Sequence, residues 1–334
     1  MSWCIALILA VSAADRSAVS ELWGKRLEAS GGKAIISEYY PTEESLIFLS
    51  AYSQTREARF AKQAATQLEY AHERQRDGIF LTSAGLTTRD YQARQIYNFY
   101  LGYRILGDGK YLRWADECAL AMIRRLPREA HASAGETHTL FLAGYFDANG
   151  KPAKETGNVI DVNQNAEVAL AFTLLYHDPG SRFFLDPKAM EIAYEELLAS
   201  MSIQNNETGA IPLTENIPGG DTAYGSYAAF SWVWCQLLWH DEKFEPHVRA
   251  AGKWLATKND LSRDSQRWYP KRIENGAVPD WEISYRLPLL WYCGVDTSTL
   301  LLPPTTSLYW AYYDLMGLPR AYYIHGDPLA ARRP

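Results

Sequence analysis

The residues best placed to do chemistry fall in one stretch, Asn158-Val-Ile-Asp161-Val-Asn163-Gln164-Asn165-Ala-Glu167. The next five residues, Val168 to Phe172, are small or apolar. A helix with that body is apolar most of the way round, which predicts an inner, buried helix from Asp161 to Tyr176 whose polar start lines a wet cleft. Asp161 with Gln164 three residues later fits a capping box, and a carboxylate there complements the helix dipole, so capping alone accounts for Asp161. It does not account for Asn163, Asn165 and Glu167 as well. Asn is a poor helix former, so two in the first turn and a half point to side chains that hydrogen-bond a ligand. Asn163 and Glu167, four apart, share a face; Asn165 points elsewhere.

A second cluster is Asp280-Trp281-Glu282, with Tyr285 and Arg286 close behind. An acid pair beside aromatic rings suits a sugar site, where a ring stacks and a carboxylate handles a proton. An N-cap with a first-turn Glu and Trp281 in the core explains the same residues equally well. Glycoside hydrolysis needs two carboxylates across the scissile bond, here Asp161 or Glu167 opposite Asp280 or Glu282. One of them would be held protonated by burial or by a neighbouring carboxylate. Proton abstraction beside a uronate carboxylate would use other parts: Tyr91, Tyr224, Tyr227 or His138 as base, with Asn163, Asn165, Arg89, Arg94 or Arg286 neutralising the acid. Asp221 fits a simple N-cap, and Tyr224 and Tyr227, three apart, fit core packing as well as a binding face. His138, alone in a long connector, reads first as a solvated residue. Trp268, in the connector Arg267-Trp268-Tyr269-Pro270, is a further ring that could meet a sugar.

Other chemical templates are missing from the sequence. It holds no phosphate-cradling Gly loop, no His-Glu-x-x-His, no Gly-x-Ser-x-Gly and no Cys-x-x-Cys, so neither a cofactor nor a metal is expected. The net charge of -6, with Lys and Arg scattered, argues against nucleic acid as a main partner. Cys118, Cys235 and Cys293 sit far apart in apolar patterns and read as buried free thiols. The apolar run from Cys4 to Val11 is too short to span a bilayer; with Val11-Ser12-Ala13 at its end, it resembles a secretory signal. The expectation is therefore a signal peptide over residues 1–14 and a single domain over 15–334, secreted or periplasmic if the signal is cleaved and cytoplasmic otherwise. No later segment reads as a membrane span.

These residues must be positioned by helices. Ser17 to Ala29 reads as an amphipathic helix closed by Gly31-Gly32, and Lys33 to Tyr40 as extended. Helices are then predicted for Thr42 to Ser53, Thr55 to Arg76, Thr88 to Leu106, Lys110 to Leu126, Asp161 to Tyr176, Pro187 to Met201, Asp221 to Trp239 and Phe244 to Thr257. Further helices start at Asp280 and near Thr305, the last ending at Gly317. Apolar helices alternate with amphipathic ones, and each pair is joined to the next by a turn and a short extended piece such as Thr208-Gly209-Ala-Ile-Pro212. Recurrence of one helix-turn-helix unit marks a repeat architecture, and two concentric rings of helices explain the alternation.

That organisation, with Leu106-Gly-Asp-Gly-Lys-Tyr111-Leu-Arg-Trp-Ala115 at a hairpin turn, resembles the six-hairpin (α/α) toroid enzymes over most of the chain from about residue 42. The superfamily consists above all of glycoside hydrolases and polysaccharide lyases. The resemblance implies an all-α toroid of about five to six helical hairpins, with the inner-helix N-termini meeting at one end. Thr88 to Tyr91, Asp161 to Glu167, Asp221 to Tyr227 and Asp280 to Arg286 would then surround a common cleft. It implies a carbohydrate-active enzyme on an oligosaccharide or polysaccharide. A glycoside hydrolase, commonly inverting, comes first and a polysaccharide lyase or uronate epimerase second. A toroid that only binds a glycan or a protein stands as the non-enzymatic alternative.

Overall fold

The computed structural model describes residues 13–34, 41–153, 156–217, 219–257, 289–290 and 292–294. The expected signal segment falls on residues 1–12 for all but its end, and Trp268, Asp280, Trp281, Glu282, Arg286 and the last two predicted helices also lie outside the described residues.

The chain is all-α, with two small β-hairpins among the described residues. Helix α1 (Ala13–Ser30) precedes four helical pairs. These are α2 (Pro41–Thr55) with α3 (Ala58–Glu73), α4 (Arg89–Leu106) with α5 (Gly109–Arg125), α6 (Val162–His177) with α7 (Pro187–Ser202), and α8 (Thr222–Trp239) with α9 (Glu245–Ala256). Within each pair the helices pack as a hairpin. The first members also pack on one another in sequence, α2 on α4, α4 on α6 and α6 on α8, so the described residues form an arc of four hairpins with an inner and an outer layer. This is the helical-hairpin toroid arrangement expected from the alternation. α4 and α6 are buried along nearly their whole length, whereas α5 and α7 bury only one face. One continuous apolar core runs between the layers, and Cys118 and Cys235 lie in it as free thiols.

The helix boundaries follow from local chemistry. Gly107, at φ 78°, ends α4 in the left-handed region that only glycine enters freely, and Asp108 accepts the Lys110 N–H at 2.8 Å to begin α5. Asp161, Asp186 and Asp221 cap α6, α7 and α8 in the same way. α3 is shorter than the predicted Thr55 to Arg76, because Arg56 turns out of the helix at φ 61° and Gln75–Arg76 pair with Ile79–Phe80 as β1 and β2.

One sequence expectation is overturned. Much of the connector between Pro127 and Ile160 is a β-hairpin, not a loop: β3 (Arg128–Ser133) pairs antiparallel with β4 (Glu136–Phe141) in register from Arg128↔Phe141 to Ser133↔Glu136. Its two-residue turn places Ala134 at φ 52° and Gly135 at φ 86°, both positive as the twist of a tight hairpin requires. β4 packs against α7. The hairpin, the bridge Asp161↔Thr214 and the bond from the Val162 N–H to the Leu213 carbonyl (3.0 Å) all gather at the end where the inner helices begin.

Candidate active site

The inner-helix N-termini are held together by a fully buried cation. Arg89, the first residue of α4, donates from Nη1 to the Phe141 carbonyl (2.6 Å), from Nη2 to the Val159 carbonyl (3.2 Å) and from Nε to Gln164 Oε1 (3.1 Å). Those bonds tie α4 to the end of β4, to the segment that enters α6 and to the first turn of α6. Glu196 of α7, also fully buried, does the same from the other side, accepting the Phe141 N–H (2.8 Å) and the Asn165 amide (2.6 Å). Asn165 uses its other end to accept the Asp161 N–H at 2.9 Å. Both ends of the Asn165 side chain are thus occupied by the scaffold, and it stands beneath the site rather than in it.

Above this frame lies a group of charges from the inner helices. Arg94 of α4 and Glu167 of α6 form a two-pronged ion pair, Nε to Oε2 at 2.9 Å and Nη2 to Oε1 at 2.8 Å, with Arg94 8% and Glu167 3% exposed. The Arg94 guanidinium also lies 5.9 Å from the ring centre of Tyr227 on α8, and the Tyr224 ring lies 6.5 Å from that of Tyr227. Asn163 stands one turn before Glu167 on the same face of α6; it is buried, and among the described residues its side chain makes no hydrogen bond. Asp90 stands one turn before Arg94 on α4 and accepts the Thr88 hydroxyl. Its charge reaches both Asp161 and Glu167.

Electrostatics separate the carboxylates. Burial lifts Asp161 from the ordinary 3.8 to about 6; Arg89 and the Gln164 N–H pull it down, and Asp90 pushes it up. An N-capping aspartate ordinarily stays ionised, so loss of solvent outweighs the helix dipole here. Burial likewise lifts Glu167, to about 7, against the pull of Arg94 and with a further push from Asp90 and Asp161. Asp161 keeps Oδ1 on the Gln164 N–H (3.3 Å) while remaining partly exposed. A protonated Asp161 can therefore keep Oδ1 on the helix and carry its proton on Oδ2.

The remaining candidates from the sequence are divided between the site and the scaffold. Tyr91 is buried in the first turn of α4, its N–H held by Thr88 Oγ1 at 3.2 Å. Asp221 caps α8 by accepting the Tyr224 N–H at 2.9 Å, and Tyr224 is well exposed. His138 is not a solvated loop residue. It is buried on β4, with Nδ1 3.3 Å from Glu195 and Nε2 3.6 Å from Glu136, on the side that packs against α7. Among the described residues no group of three or more His, Cys, Asp or Glu could hold a metal ion, and none of their helices is long and apolar enough to cross a membrane. Sequence reasoning did not single out Asp90 as a site residue. Its place two residues after a Thr N-cap is shared with many surface helices, and only the three-dimensional proximity to Asp161 sets it apart.

No protein-family profile and no curated protein sequence matches the chain. Solved structures do share its fold. A Salmonella enterica protein described as a possible member of the GH105 family superposes with a TM-score of 0.58 at 12% identity, over 94% of this chain and 79% of that one. The cellobiose 2-epimerase of Bacillus thermoamylovorans gives 0.57 at 10% identity, over 86% and 89%. A sugar epimerase from a ruminal bacterium gives 0.55 at 14% identity, over 86% and 77%. At such identities the likeness establishes the toroid fold and leaves the reaction to be argued from the residues.

Proposed function

We propose that the protein is a carbohydrate-active enzyme that hydrolyses a glycosidic bond at the mouth of the toroid. The observation that carries this reading is a pair of carboxyl groups on adjacent inner helices: Asp161, lifted to about 6 by burial, with Asp90 pushing it further up. Glycoside hydrolysis requires two carboxyl groups, one acting as acid and one as base. In this reading Asp161 gives its proton to the leaving glycosidic oxygen as that bond breaks. Water attacks the anomeric carbon and Asp90 accepts the proton it loses; Asp90 then releases that proton to solvent and Asp161 takes one up, which restores both carboxyl groups. Asn163, with an uncommitted amide, and the Tyr224 and Tyr227 rings supply hydrogen bonds and a stacking surface for the sugar. Glu167 is a positioning residue, because both its oxygens are held by Arg94. Asp280 and Glu282 are not needed for this step, since the described residues provide both carboxylates. Arg94 is already paired with Glu167, which weakens the case for a lyase that would use it to neutralise a uronate.

The test is a turnover screen on neutral and uronate-containing oligosaccharides, read by new reducing ends, by ultraviolet absorbance of a conjugated double bond and by NMR of the product sugar. New reducing ends without absorbance are expected, lost by about 10²- to 10⁴-fold in Asp161→Asn and in Asp90→Asn. Absorbance accompanying cleavage, or an epimerised sugar with no new ends, would overturn the hydrolase.

A further inference from the structure

A cavity opens beside the candidate active site. It holds about 580 Å³ between the tip of the β3–β4 hairpin, the end of α7 and the connector leading to α8. That size is well within the range of clefts that take small organic ligands. Its connection to the active site is short and made by hydrogen bonds: Thr214, in its wall, pairs backbone to backbone with Asp161, and the next residue, Glu215, accepts the Ile160 N–H at 3.0 Å. A chain-like ligand lying across Asp161 would reach the cleft by passing over Thr214.

The lining selects the ligand. Ser133 and Thr214 present hydroxyls that make no hydrogen bond among the described residues. The exposed Asn205 uses its Oδ1 to cap the N–H groups of Glu207 and Thr208, at 3.0 and 2.8 Å, which leaves its amide N–H groups for a ligand. Ile217, half exposed, offers a CH surface. Among the described residues no Lys or Arg lines the cavity, and the charged side chain in its wall, Glu215, already meets His131 at 2.9 Å. A phosphate or a uronate would find no cation there and a carboxylate nearby. An uncharged, hydroxyl-bearing ligand matches both the hydroxyl and amide groups and the CH surface.

We propose that this cleft is a binding subsite for a neutral sugar unit of an oligosaccharide whose scissile bond lies over Asp161. The inference rests on the hydrolase reading and adds to it: the enzyme acts on neutral chains of several units and gains affinity from units beyond the cleaved bond. Ser133, next to the exposed hairpin turn, can be enlarged without touching Asp161, Asp90 or their supports.

The test compares wild type, Ser133→Trp and Thr214→Val on cello-, malto- and manno-oligosaccharides from dimer to hexamer. Wild-type kcat/KM on the series it cleaves should rise by about tenfold or more from dimer to tetramer. Ser133→Trp should flatten that rise while leaving dimer turnover within about twofold, and Thr214→Val should flatten it in part. Calorimetric titration of the tetramer into Asp161→Asn, with and without Ser133→Trp, reads the cleft without turnover. Turnover independent of chain length and unaffected by Ser133→Trp would remove the subsite and leave the hydrolase standing. Absence of turnover, with tetramer binding that Ser133→Trp abolishes, would remove the hydrolase and leave the subsite. Unfolding midpoints within a few degrees of wild type show that the variants fold.

Discussion

In the proposed reaction Asp161 carries two duties that pull in opposite directions. As an N-cap it is best ionised, and as a proton donor it must hold its proton near neutral pH. Burial decides the matter by lifting it to about 6, and this fixes the sign of the consequence for stability. A carboxyl group with a folded pKa above its unfolded value favours the native state fully below about pH 4, and that contribution is lost as pH rises through about 6. Asp161→Asn keeps a good capping side chain and removes the charge that must be desolvated. The substitution should therefore raise stability by about 1–3 kcal/mol at pH 7.5, with little effect at pH 4. Urea unfolding at the two pH values measures the difference, and an equal shift at both would mean that Asp161 is not perturbed by burial. Activity should show the titration of the same group, with kcat/KM falling as pH rises past about 6.

At the scale of the helices, the Arg94–Glu167 pair is the joint between α4 and α6 at the mouth of the toroid. Truncating one partner leaves the other charge buried without its counterion, whereas replacing both with apolar side chains of similar size removes both desolvation penalties. Glu167→Leu alone should destabilise by about 3–5 kcal/mol, and the double variant Arg94→Met with Glu167→Leu should recover most of that loss. Thermal or urea unfolding of the four proteins in the cycle gives the coupling, and strictly additive losses would show that the pair is not a joint. This joint could not be read from the sequence, because 73 residues separate its partners. What could be read were features set locally. The Asp161 and Asp221 caps, the break at Gly107 and the four-residue spacing of Asn163 and Glu167 each depend on neighbours within one turn. The β3–β4 hairpin escaped for a local reason of its own: Ala134-Gly135 is a weaker turn signal than Asn-Gly, and Glu136–Phe141 mixes polar and apolar residues on both faces, Glu136, His138 and Leu140 on one and Thr137, Thr139 and Phe141 on the other. Arg89 was legible only as a candidate cation. Nothing in its position as the first residue of a helix announces that it is wholly buried and joins two helices to a strand.

For the whole molecule, the two-layer arrangement makes the inner helices the last part of the structure to open. α6 has α4 on one side, α8 on the other and α7 behind it, and thirteen of its sixteen residues are buried; α4 is similar, whereas α5 buries eight of seventeen residues and α7 eight of sixteen. Local opening is cheapest where few buried contacts break, so an outer helix can separate from the arc while the inner ones remain packed. An inner helix cannot leave without breaking contacts to three neighbours at once, which approaches global unfolding. Native-state hydrogen exchange should therefore find the central amides of α4 and α6 exchanging only with the whole domain, and those on the outward faces of α5 and α7 exchanging about 10- to 100-fold faster. Because Asp90, Arg94, Asp161, Asn163 and Glu167 all belong to the first two turns of the inner helices or their caps, the same hierarchy holds the site rigid while the outer layer fluctuates. Equal protection in both layers would mean that the arc opens as one unit, and that the rigidity of the site does not come from its place in the inner ring.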